Sequence, residues 1–136
     1  MNYIIEINSF YDWLTYNELS PNAALLWHVL MHFNNKCPIE VRGQFFWRAR
    51  FSVANSRVKN LTGFTSNMQL QRAREELSEV GRIKYEPGAT RKAGTYQMIH
   101  FDPCTKIKPL GELLKPHGIS VTKDLADTLV YCYQSV

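Results

Sequence analysis

Residues 61–83 read LTGFTSNMQLQRAREELSEVGRI, and their punctuation decides the architecture. Ser66 and Gln69 make the S-x-x-Q pattern of a capping box, in which two side chains satisfy backbone N–H groups that a helix start leaves unpaired. Leu70, Ala73, Leu77 and Val80 then recur at spacings of three, four and three, which predicts a helix with one apolar stripe, closed by Gly81. Upstream, Ser52 reads as the N-cap of a shorter helix carrying Ala54, Val58 and Leu61, with Gly63 in the C′ place. Thr62-Gly63-Phe64-Thr65 is then a tight turn between two short helices, holding the glycine that a helix-turn-helix corner favours.

Working outward, Arg82-Ile83-Lys84-Tyr85-Glu86 alternates polar and apolar at period two, and Thr95 to Phe101 reads as a second strand. Between them Pro87 to Gly94 is a basic turn, so the two strands form a hairpin. Towards the N-terminus, Ser20-Pro21 pairs an N-cap with proline at the first helical position. Ala23 to Phe33 behind it is apolar almost all round, the pattern of a central buried helix, and Asn34, Asn35 and Pro38 end it. Tyr3, Ile7, Phe10 and Leu14 make the stripe of a first helix. Arg42 to Phe51 (RGQFFWRARF) is a short strand or an ordered loop. Pro103, Pro109 and Pro116 punctuate a linker, and Thr122 to Gln134 reads as a last helix with Leu125, Leu129 and Cys132 in line. The expectation is a mainly α chain with a small β-hairpin (α+β): a winged helix-turn-helix over residues 1–101, then a linker and an additional C-terminal helix over 102–136.

A chain of 136 residues, 45% hydrophobic, 21% charged and 12% aromatic, can bury a core without disulfide or metal. No apolar run reaches the ~18–20 residues of a bilayer span, so no membrane partner is expected. The opening Met1-Asn2-Tyr3-Ile4-Ile5-Glu6 lacks the basic region of a signal peptide, which points to the cytoplasm. Cys37, Cys104 and Cys132 are odd in number and far apart, against a disulfide scaffold. Charge is unevenly spread. Residues 42–101 hold eleven Lys and Arg against four Glu, a net +7, while the whole chain is only +4. That concentration is the footprint of a polyanion partner.

Two segments carry a family resemblance. Leu26-Trp27-His28-Val29-Leu30-Met31-His32-Phe33-Asn34-Asn35-Lys36 resembles the second helix of phage and mobile-element replisome organisers, which are similar to the N-terminal domain of the DnaD replication-initiation family. Leu61 to Thr65, on through Arg72-Ala73-Arg74 to Gly81-Arg82-Ile83, resembles the same proteins, as does Lys92-Ala93-Gly94-Thr95-Tyr96. The resemblance covers about residues 2–101. It implies double-stranded DNA binding in replication initiation, with a replicative helicase or helicase loader as a further partner, and homo-oligomer formation.

Within the predicted helix 65–80, Thr65, Ser66, Asn67, Gln69, Gln71, Arg72 and Arg74 lie towards the N-terminus, and Glu75, Glu76 and Glu79 towards the C-terminus. In helix-turn-helix docking the N-terminal residues meet base edges, where Asn and Gln pair with adenine and Arg with guanine. Ser66 and Gln69 have a second use in capping. On a helical wheel Met68, Gln71, Arg72 and Glu75 point most directly away from the apolar stripe. Arg91 and Lys92, at the hairpin tip, are placed to neutralise phosphates.

Other constellations point elsewhere. His28 and His32 stand four apart with Cys37 nearby, yet Val29 replaces the Glu of H-E-x-x-H, and histidines on an apolar helix usually bond backbone carbonyls. No metal, cofactor or catalytic site is expected, since nucleophile-elbow, Walker and dinucleotide glycine motifs are absent. Phe45, Phe46, Trp47 and Phe51, interleaved with Arg48 and Arg50, suit either core packing or stacking on single-stranded bases. Two rivals share the fold: a small transcriptional regulator, and a protein-interaction module in replisome assembly without DNA binding.

Overall fold

The computed structural model describes residues 2–133, a mixed α+β chain. The first part runs α1 (Tyr3–Leu14), α2 (Pro21–Lys36), β1 (Pro38–Val41), β2 (Gln44–Trp47), β3 (Phe51–Ser52), α3 (Asn55–Thr62), α4 (Asn67–Glu79), β4 (Ile83–Glu86) and β5 (Thr95–Met98). The rest is β6 (Thr105–Pro109), α5 (Leu110–Leu114), a 3-10 turn at Lys115–His117, α6 (Lys123–Ala126) and β7 (Leu129–Tyr133).

Helix α2 starts as its residues dictate, with Ser20 Oγ accepting from the Ala23 N–H at 3.1 Å and Pro21 in the first turn. Leu26, Trp27, Leu30 and Met31 are buried, and α2 packs on both α3 and α4. Helix α1 adds Phe10, whose ring stacks on Trp27 with centroids 3.9 Å apart. Strands β3, β5 and β4 form an antiparallel sheet in that spatial order, and Ile83, Tyr96 and Met98 share the core of Leu70, Ala73 and Leu77. Helices α3 and α4 meet at Gly63, which has φ +79° and closes the αL cap with its N–H on Lys59 O at 2.8 Å.

Several expectations need correction. Ser52 caps no helix: it lies in β3 with its hydroxyl 3.2 Å from Thr95 Oγ1, and Ala54 precedes α3 without a side-chain cap. Val80 falls past the end of α4 and is exposed, and Leu61 is exposed too. Residues 38–47 form a second hairpin, β1–β2, because Arg42 and Gly43 both hold positive φ (49° and 82°) and their twist suits a two-residue turn.

The largest correction concerns residues 102–136. They are neither a linker nor a strand-free tail with a long C-terminal helix. Only Lys123–Ala126 is helical in the segment expected from Thr122 to Gln134, and Leu129 and Cys132 lie in β7, paired with β6 (Gln134 lies outside the described residues). Leu129 to Tyr133 (LVYCY) is rich in β-branched and aromatic side chains, and cross-strand pairing outweighs a helical spacing that one turn of α6 cannot sustain. Leu110, Leu114 and Val130 complete a second core with Ile39 and Val41 of the β1–β2 hairpin. The two cores are tied together by Tyr131, whose buried hydroxyl donates towards Ala49 O at 3.1 Å and Met98 O at 3.0 Å. No helix among the described residues is long and apolar enough to cross a membrane.

A buried polar node lies where the chain leaves the first core. Glu6 is 2% exposed, its carboxylate 2.7 Å from His100 Nδ1, and it accepts the Phe101 N–H at 2.9 Å and 3.1 Å on its two oxygens. Arg82 adds charge from the side: its guanidinium stacks 3.9 Å from the Phe101 ring centroid, and its Nε and Nη1 are buried without a hydrogen-bond partner. Burial pushes the Glu6 carboxyl up, but the His100 bond and the Phe101 and Asp102 amides outweigh it and hold it below its ordinary value.

Two consequences are measurable. Gly63→Val should lower stability by about 1–2 kcal/mol, since a Cβ there meets no atom within 4 Å and only the left-handed backbone is penalised; an unchanged melting temperature would place the turn elsewhere. Glu6→Gln should cost about 3 kcal/mol near neutrality, because it removes one partner of a buried pair. A carboxyl held below its ordinary 4.5 lends stability that is complete above that value and is lost as pH falls through the lowered one. Urea titrations should therefore show the gap between variant and parent closing on acidification, and a gap independent of pH contradicts the role.

Candidate nucleic-acid interface

Helix α4 presents a polar face because its apolar residues are spaced to cover only one side. Asn67, Met68, Gln71, Arg72, Glu75, Ser78 and Glu79 are exposed, opposite the buried Leu70, Ala73 and Leu77. Its first turn is built by Ser66, whose Oγ accepts from the Gln69 N–H at 3.2 Å. Gln69 returns its amide oxygen not to Ser66 but to Thr65, accepting from the backbone N–H at 2.8 Å and from Oγ1 at 3.1 Å. Thr65, Ser66 and Gln69 are thus committed to the cap, though Thr65 and Ser66 also face solvent. Asn67 and Arg72 are exposed with no side-chain hydrogen bond among the described residues, while Gln71 lends its amide to Glu75 Oε1 at 3.0 Å.

The orientation of this face is set by Arg74, which the sequence groups with the polar residues of the N-terminal half of the helix and which the structure turns inwards as a brace. Its Nη1 donates to Asn55 Oδ1 at 2.9 Å and to the Tyr96 hydroxyl at 3.1 Å, and its guanidinium lies 4.2 Å from the Tyr85 ring centroid. One side chain therefore braces α4 against α3, β4 and β5. Burial pushes the Tyr96 phenol up, and the neighbouring Arg74 partly opposes it.

Arg91 and Lys92 are exposed in the loop joining β4 to β5, where the Lys92 N–H closes a turn on Ala89 O at 2.9 Å and Arg91 holds φ +66°. Gln71, Glu75, Glu79, Tyr85 and Pro87 line one groove of about 430 Å³, so the exposed face of α4 and the root of that loop lie on the same side. Its carboxylates make the C-terminal half of α4 hostile to phosphate. Asn67 and Arg72 lie towards the other end. Further exposed cations on this part of the chain are Arg50, Arg57 and Lys84.

The histidine pair is held by its aromatic neighbours. His28 Nε2 lies 3.4 Å from the Tyr11 hydroxyl rather than a backbone carbonyl, packed edge-on to Phe10 and Trp27, and burial lowers its pKa. No group of three or more His, Cys, Asp or Glu suited to a metal occurs among the described residues. Comparison with protein-family models, with curated proteins and with solved structures finds no match to this chain.

The two arginines separated by one residue should behave oppositely. Arg74→Ala, which strands Asn55 and removes the Tyr85 contact, should cost about 1–3 kcal/mol. Arg72→Ala should stay within about 0.5 kcal/mol, as expected of an exposed side chain with no partner. Equal melting temperatures for the two variants would remove Arg74 from its bracing role.

Proposed function

We propose that residues 1–101 form a winged helix-turn-helix domain and that the chain is a sequence-preferring double-stranded DNA-binding protein acting in replication initiation, in the manner of replisome organisers. Helix α4 serves as the recognition helix, with Asn67, Gln71 and Arg72 directed to base edges in the major groove. The β4–β5 loop is the wing, and Arg91 and Lys92 meet phosphates. One observation carries this reading: the exposed face of α4 from Gln71 onwards and the root of the loop bearing Arg91 and Lys92 adjoin on one side of a helix–helix–sheet core, with Asn67 and Arg72 continuing that helix face away from the carboxylates. The sheet order β3-β5-β4, with β3 before the α3–α4 pair and β4 and β5 after it, supports such a wing. The role in initiation rests on the resemblance of residues 26–36 and 61–83 to replisome organisers, and a replicative helicase or its loader is the protein partner that role implies.

The acidic half of α4 limits how the duplex sits. Glu75 and Glu79 must stay outside the groove, so docking tilts the N-terminal turn of α4 inwards. Gln71 must also release Glu75 to reach a base, which lowers its net contribution.

A salt series on specific and random duplexes tests the assignment. Replacing Arg91 and Lys92 together by Ala should weaken binding to every duplex and reduce the slope of log K against log salt by roughly 2. Replacing Asn67 and Gln71 by Ala should leave the slope unchanged and cost about 1–3 kcal/mol on the preferred sequence alone. If neither pair weakens binding, the DNA-contacting reading fails and the protein-interaction module stands in its place.

A further inference from the structure

Strands β2 and β7 run side by side only briefly. They are joined by the Arg48–Val130 bridge and by the Ala49 N–H on Leu129 O at 2.9 Å, and no backbone hydrogen bond links Gln44–Trp47 to Tyr131–Tyr133 among the described residues. Between them opens a cleft of about 350 Å³, lined by Gln44, Phe45, Phe46, Trp47, His117 and Tyr133 among others. We propose that this cleft binds unpaired nucleotides of single-stranded DNA, as a stacking site separate from α4 and the loop that follows β4.

The aromatic side chains are the first argument. Phe45 is 54% exposed and Tyr133 71% exposed, an unusual cost in hydration for two large rings flanking one opening. Trp47 is half-buried and fixed by its indole N–H on Asn35 O at 3.1 Å, which gives a ring of set orientation. Rigid aromatic faces accept any base, because every base offers a π-face.

Charge identifies the occupant. None of the residues lining the cleft is acidic. Arg42 in the hairpin turn, Arg48 at the apex, Lys106 cross-strand from Cys132, and Lys115 in the 3-10 turn are all exposed. Among the described residues none of the four has a carboxylate partner, since the Lys or Arg pair with a carboxylate there is Lys108–Glu112. Glu40, cross-strand from Phe45, is the opposing charge. A purely apolar partner leaves four cations and the free strand edges unused, and a duplex buries its bases out of reach. A polyanion with exposed flat rings uses both the aromatic faces and the cations, with Gln44 and His117 able to hydrogen-bond base edges and the cations tracking the backbone.

The test titrates the full chain with oligo-dT of about eight nucleotides, within the range of single-strand site sizes, at low salt. Fluorescence anisotropy of labelled oligo-dT reports binding, and tryptophan emission reports stacking at Trp47. Expected are binding that weakens with salt, quenching of emission, and a roughly tenfold higher Kd for Phe45→Ala. If Phe45→Ala lowers the melting temperature, Arg48→Glu is the second variant, with a comparable loss expected. The Arg91 and Lys92 double variant should bind oligo-dT like the parent, which separates failure here from failure of the duplex reading. Parent-like affinity of both Phe45→Ala and Arg48→Glu, absence of oligo-dT binding by the parent, or displacement of oligo-dT by polyglutamate at equal charge concentration each overturns the proposal.

Discussion

A carboxylate as buried as that of Glu6 persists only where hydrogen bonds replace the water it has lost, and this requirement organises the molecule. The replacements come from the backbone at Phe101 and Asp102 and from His100, residues more than ninety positions away. Meeting them pins the first helix to the exit of β5. Arg82, which follows Gly81 at the end of α4, brings its charge near the carboxylate and stacks on Phe101, so the end of that helix also meets the node. With the node formed, α1, α4 and β5 share one frame, and Phe10 and Trp27 stack inside it. Without it an uncompensated charge sits against Trp13, Phe101 and Tyr131.

Within that frame, polar and charged residues divide by place. Along α4, neutral hydrogen-bonding side chains precede the carboxylates, and the helix dipole, positive at its N-terminus, reinforces the sequence order. Duplex binding at one end of α4 and repulsion at the other would together specify an approach direction, which attraction alone does not. The cleft between β2 and β7 lies on different elements, so two modes of nucleic-acid contact need not compete for the same side chains.

What could be read from the sequence was local. Ser20-Pro21, the Ser66 cap, Gly63 and the stripe Leu70, Ala73, Leu77 each act over a few residues, and α2, α4, β4 and β5 followed from them. The second core escaped because it joins Ile39 and Val41 to Val130, a pairing that no periodicity encodes. Its hairpin turns on Arg42-Gly43 rather than Asn-Gly, so the strongest short-range signal was missing. The exposed residues of α4 were legible from the wheel, whereas the bracing by Arg74 was not, since Asn55 and Tyr96 are remote in sequence. Gln69 was read as both cap and contact, and its bonds to Thr65 favour the cap.

The order of residues in the second core also bears on biosynthesis. Ile39, Val41 and Phe46 leave the ribosome early, but their cover, Leu110, Leu114 and Val130, is made much later. The first core can close once Asp102 has emerged, leaving an apolar hairpin face in solvent until that cover is made. The nascent chain therefore passes through a stage that is already half folded and sticky, a natural point for chaperone capture or for mispairing between neighbouring chains.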